Sequence, residues 1–135
     1  MKKQIVILFT LAASISFSAQ RNPQIRNCNL VGGDFVAANT SNDQVGFCQL
    51  DKALIGALEL NLFNNKEAIL QSLKVYMKNQ LTCENGGQIQ NLTIVGTSDS
   101  FKACAYPDGS FIELMTLTRG YNSSENQKLN QVLGL

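Results

Sequence analysis

Four cysteines (Cys28, Cys48, Cys83 and Cys104) and a complete lack of histidine set the chemistry open to this 135-residue chain. Without imidazole there is no Ser–His or Cys–His nucleophile and no His-ligated zinc site. A four-thiolate zinc site calls for close Cys-x-x-Cys pairs, and the sequence has none. Carboxylates are what remains. Glu59, Glu113, Asp51, Asp99 and Asp108 are the candidates for an acid–base pair of the glycosidase kind. Local roles suit several of them better. Glu113 follows Ser110 by three residues and completes a capping box, Asp108 sits in a Pro107-Asp108-Gly109 turn, and Asp51 stands where a helix cap would. The pairs Gly32-Gly33 and Gly86-Gly87 read as helix stops, whereas a phosphate-cradling loop precedes a helix. Asn39-Thr40-Ser41, Asn91-Leu92-Thr93 and Asn122-Ser123-Ser124 match the glycosylation acceptor pattern, as chance alone produces in an asparagine-rich chain. No residue is assigned to catalysis, to a cofactor or to a metal.

The compartment is more legible. Lys2 and Lys3 precede an apolar run from Ile5 to Ala13, broken only by Thr10, and Ser16-Phe17-Ser18 offers a small-x-small cleavage site. Residues 1–19 therefore read as a cleaved secretory signal, too short to span a membrane. No cysteine follows the cleavage point directly, so a lipid anchor is not indicated. Eleven basic and ten acidic residues become nine and ten once the two lysines leave, and no block of like charge remains. This balance excludes a nucleic-acid footprint and gives no support to a polybasic membrane patch. An even number of cysteines beyond an export signal predicts two disulfides, since the exterior and the envelope are oxidising.

The elements that must position these residues come in two similar sets. Asn22-Pro23 is a helix start and Gly32-Gly33 a stop, which predicts a helix from Pro23 to Val31 carrying Cys28. Phe35 to Ala38 and Val45 to Leu50 flank the turn-rich Asn39 to Asp43 and predict a β-hairpin. Leu54, Ile55, Leu58 and Leu62 recur at helical spacing, ending at Asn64-Asn65. Ile69, Leu73, Met77 and Leu81 predict a further helix from Lys66, its stripe a core face. Then Cys83 and Gly86-Gly87 answer Cys28 and Gly32-Gly33. A second hairpin ends in Cys104-Ala105-Tyr106-Pro107-Asp108-Gly109-Ser110, and a helix is expected over Phe111 to Arg119. The offsets are 54 at the glycines (33 to 87), 55 at the first cysteine (28 to 83) and 56 at the second (48 to 104). Two copies with a period above 50 mean a duplicated module and not a solenoid. The Asn- and Ser-rich residues 122–135 read as a loosely held tail.

Asn22-Pro23, Cys28, Gly32-Gly33 and Cys48, and again Cys83, Gly86-Gly87, Cys104, Pro107-Asp108-Gly109-Ser110, Glu113 and Arg119-Gly120, resemble the short bacterial envelope domain labelled haemolysin, a family of undetermined function. The resemblance covers nearly all of the mature chain, in two tandem copies. Where many members carry two more cysteines this chain has Ile112 and Asn122, and where they carry a tryptophan it has Met115. The resemblance thereby implies Cys28 paired with Cys48 and Cys83 with Cys104, one clip per module.

The expected fold is α+β: a tandem repeat of two small helix–β-hairpin–helix modules, residues 20–65 and 66–121, each with one disulfide. The expected function is a non-enzymatic binding or inhibitor-like protein, periplasmic or extracellular, meeting an envelope or extracellular protein. A membrane-active lytic factor, which the family label suggests, and a carboxylate-based cell-wall hydrolase are the alternatives.

Overall fold

The computed structural model describes residues 22–84 and 86–135. The proposed signal at residues 1–19 lies outside the described residues. The chain runs α1 (Pro23–Leu30), β1 (Asp34–Asn39), β2 (Gln44–Leu50), β3 (Ala53–Gly56), α2 (Ala57–Asn64), α3 (Gln71–Met77), β4 (Gln88–Ile94), β5 (Ser100–Ala105), β6 (Phe111–Glu113), α4 (Leu114–Arg119), a 3-10 turn (Ser124–Asn126) and α5 (Gln127–Leu133). The six strands close into one antiparallel barrel in the order β1-β2-β3-β6-β5-β4. This overturns the expectation of two helix–hairpin–helix modules. Each half gives three strands to a shared barrel, so neither holds a hydrophobic centre of its own.

Alternation along the strands explains how a small barrel fills both of its faces. Ala38, Phe47, Leu54, Leu92 and Ala103, with Val36, Val45, Phe101 and Phe111 beside them, form a cluster drawn from all six strands and no helix. It is the lumen. Phe47 meets Phe101 edge-on at 5.2 Å and Phe111 at 6.0 Å. Residues of opposite parity, among them Cys48, Leu50, Ile55, Cys104 and Ile112, face outward beneath Leu60, Leu73, Tyr76, Leu117 and Leu129 of the helices.

Two segments expected to be helical are strand. Ala53–Gly56 and Phe111–Glu113 pair with each other through Ile55 and Ile112. The first hides its nature because all four residues are buried, leaving no polar alternation to read. The helix expected from Lys66 is confined to Gln71–Met77, since Lys66 and Asn79 both take positive φ (59° and 55°) and interrupt it. Ile69 and Leu81 of the expected stripe are exposed, while Leu73 is fully buried. Residues 122–135 are not a loose tail. Asn126, Leu129, Asn130 and Leu133 are buried, Tyr76 Oη donates to Asn130 Oδ1 at 2.6 Å, and Lys128 Nζ reaches the Gly32 carbonyl at 2.6 Å. α1 forms as expected, with Asn22 Oδ1 accepting from the Gln24 and Ile25 amides.

Cys28 is bonded to Cys48 and Cys83 to Cys104. The bonds span 20 and 21 residues, each contributing about 3 kcal/mol by restricting the unfolded chain. They also explain the glycine pairs. Gly32 and Gly86 take φ of 86° and 91°, which a side chain resists. Gly33 and Gly87 lie under the sulfurs of Cys48 and Cys104, where any Cβ would collide. The first glycine of each pair serves the turn and the second makes room for the disulfide. Gly86-Gly87 ends no helix, for α3 stopped at Met77 and Cys83 lies in a bend.

Candidate functional site

The two halves of the barrel meet at two seams, and the polar residues worth weighing lie along them. At the β3/β6 seam the strands exchange a single residue pair, so neighbouring backbone donors need other partners. Glu59, third residue of α2, supplies one: its Oε2 accepts from the Phe111 amide at 2.7 Å and from Ser72 Oγ at 2.6 Å. Thr116, third residue of α4, supplies the other, its Oγ1 accepting from the Leu54 amide at 3.0 Å. Glu113 Oε1 accepts from the Thr116 hydroxyl at 2.7 Å.

Glu59 is 1% exposed, and burial pushes its carboxyl up to about 7, opposed by the bonds from Ser72, its own amide and Phe111 and assisted by the negative charge of Asp108. It fits only because residue 56 is glycine, for a Cβ there would strike the carboxylate.

The Pro107–Ser110 turn docks beside this group. Asp108 Oδ2 accepts from the Gln71 amide at 2.7 Å and Ser110 Oγ from the Ser72 amide at 3.0 Å, while Ser110 Oγ donates to Asp108 Oδ1 at 2.6 Å. Leu70, at the cap position of α3, has no side chain that could do this. The turn therefore caps α3 from 37 residues away in sequence, and these bonds outweigh partial burial to hold Asp108 below the usual carboxylate range. The capping box read at Ser110 and Glu113 does not form. Ser110 caps α3, and Glu113, preceding α4, makes no side-chain cap bond.

The β1/β4 seam is only half closed. Ala38 pairs with Ile94 and Asn39 with Thr93, and the Val95 amide donates to the Ala37 carbonyl at 3.0 Å. The Ile94 amide turns the other way, to Asp99 of the β4–β5 turn. Backbone groups of odd-numbered β4 residues thus face β1 and those of even-numbered ones face β5. β1 ends at Asn39, so the amides and carbonyls of Asn91 and Ile89 meet no strand. A cleft of about 430 Å³ opens alongside, lined by Gln24, the hairpin tip from Thr40 to Gly46, Leu58, Glu59, Gln90, Gly109 and Phe111. A second hollow of about 450 Å³, lined by Phe63, Asn64, Lys66, Glu67, Ala68 and Ile69, contains no buried polar side chain to recognise a ligand.

The structure brings Glu59, Asp108, Gly109 and Ser110 together and leaves Asp51 and Asp99 apart in exposed turns of the barrel. Asp51 caps nothing; it takes φ of 61° between β2 and β3. Ser72 and Thr116 were not anticipated. The one sequence signal was Gly56 followed by a lone acid among Leu58, Leu60 and Leu62.

No protein-family model, curated protein or solved structure matches the chain. Among the described residues no group of acidic or sulfur ligands could hold a metal ion, and no helix is long and apolar enough to cross a membrane. Two disulfides suit an oxidising, exported setting.

Proposed function

We propose that the protein is an exported, non-enzymatic binding protein, working in the periplasm or outside the cell after loss of its signal, with the cleft at the β1/β4 seam as its ligand site. One observation carries this reading. The cleft's most perturbed group, Glu59, is already committed to holding Phe111 and Ser72, while the cleft walls are open and polar. An acid that touches solvent over 1% of its surface and bonds two donors is a fastener first.

The hydrolase reading has one point in its favour: Glu59 is raised and neighbouring Asp108 lowered, the divergence expected of an acid–base pair. The haemolysin resemblance supports a lytic reading. Crosslinking capture from the organism's own envelope and medium separates the three, using the oxidised protein and a Ser41→Trp variant that fills the cleft mouth from an exposed turn. A dominant partner held by the parent and lost by the variant supports binding. Glycan turnover lost in Glu59→Gln would replace it with the hydrolase, and leakage of lipid vesicles at micromolar protein with the lytic factor.

A further inference from the structure

We propose that the free edge of β4 accepts an extended basic polypeptide segment as an added strand, with a Lys or Arg of that segment lying in the cleft. This rests on the binding reading above and names its ligand.

The edge is unfinished on one side only. Aligning Gly33 with Gly87 sets Phe35 against Ile89, Ala37 against Asn91 and Ser41 against Val95. Symmetry would match the Val95-to-Ala37 bond with one from Ser41 to the Asn91 carbonyl, and no such bond forms. β1 ends at Asn39 instead, and the cleft beside the hairpin tip reaches β4 at Gln90. Phe35 lies over Gly46, its ring 2.6 Å from where a Cβ would stand, whereas Ile89 is 55% exposed. An open edge in a soluble protein is ordinarily guarded by charge, proline or a bulge. Gln88-Ile89-Gln90-Asn91 has neither charge nor proline, and its register against β5 runs without a bulge.

The occupant follows from charge and room. The acidic residues of the cleft lining are Asp43, exposed at the hairpin tip, and the buried Glu59, and none of the lining residues is Lys or Arg. The free edge of four residues is about 13 Å long at ~3.3 Å per residue, enough for a short strand. A second copy would bring its own β5 and hairpin tip against walls formed by Thr40–Gln44 and Gly109; a single segment brings neither. Its side chains alternate, so a basic residue on the cleft side beside Gln90 is flanked by apolar residues on the side of Ile89.

The test is anisotropy titration of the oxidised protein into labelled Thr-Val-Lys-Val-Thr, its Glu-for-Lys counterpart, and two forms N-methylated at alternate residues in opposite phases. The Lys peptide binds, the Glu peptide binds about tenfold more weakly, and one methylation phase weakens binding about tenfold while the other does not. Amide exchange at Ile89 and Asn91 slows in the complex. Asn91→Pro, tolerated at an edge because that amide meets no acceptor among the described residues, reduces binding, as does Ile89→Lys through repulsion of the basic peptide. No binding by any peptide, indifference to methylation phase, or protection of Ile89 and Asn91 that rises with protein concentration alone would each overturn the proposal. Partner capture sensitive to Ser41→Trp alongside such a result leaves the binding reading intact; capture indifferent to that variant removes the binding reading itself.

Discussion

Glu59 and Thr116 occupy equivalent places, each the third residue of the helix after its half's third strand, and each takes an amide proton from the strand opposite. One is an ionisable carboxyl and the other a neutral hydroxyl. The carboxylates stand at different positions in the two halves. Glycine at Gly56 makes room for Glu59 three residues on, whereas Glu113 stands at the position of Gly56 and leaves Thr116 to meet the strand. A hydroxyl suffices to close the seam, so the charge at Glu59 is not required for closure. What the carboxyl adds is a second acceptor bond, to Ser72 of α3, and a sensitivity to pH that Thr116 lacks.

The comparison breaks most readily at Glu59 itself. Glu59→Ala takes the acceptor from the buried Ser72 hydroxyl and the part-buried Phe111 amide and removes apolar stem contacts, and is expected to cost about 4 kcal/mol in denaturant unfolding. A cost no greater than that of Thr116→Ala would refute the unequal roles. Next in size is the pH profile. Folding raises this carboxyl from 4.5 to about 7, so its contribution is complete below pH 4.5, falls as the unfolded chain ionises first, and is lost above about pH 7. The decline amounts to about 3 kcal/mol. Glu59→Gln removes it, so the variant gains on the parent as pH rises, and parallel profiles for the two would contradict the assignment. Thr116→Ala leaves only the Leu54 amide unpaired among buried donors; it should cost about 2 kcal/mol at any pH from 5 to 8, measurable by thermal melts. Asp108→Ala removes a cap from the start of α3 and costs about 1 kcal/mol. Because folding lowers the Asp108 carboxyl, its contribution is present above the ordinary carboxylate range and lost as pH falls, opposite in sign to that of Glu59.

What could be read beforehand was local. Asn22-Pro23, the hairpin turns and the cysteine–glycine spacing each act within about twenty residues, and each is found in place. The barrel was not legible, because its closure depends on Ile55 meeting Ile112 and on Ala38 meeting Ile94, pairings that leave no periodic trace. Leu54, Ile55 and Leu58 recur at helical spacing although the first two lie in a strand buried on both faces. Ser110 and Glu113 have capping-box spacing, yet Ser110 caps α3, because the Pro107–Ser110 turn packs there. The tail is polar in composition but sends Leu129 and Leu133 inward, together with Asn126 and Asn130, whose amides satisfy backbone carbonyls.

The disulfides and the β3/β6 seam act over different distances along the chain. Each disulfide joins residues 20 or 21 apart, whereas the seam joins Phe111 to Glu59 across 52 residues and Leu54 to Thr116 across 62. Short loops close before long ones. A chain can therefore carry both correct sulfur bonds while its barrel is still open. Oxidation state alone does not report the folded molecule. During that interval the lumen phenylalanines and the edges of β3 and β6 are exposed to chaperones, to proteases and to other copies of the chain.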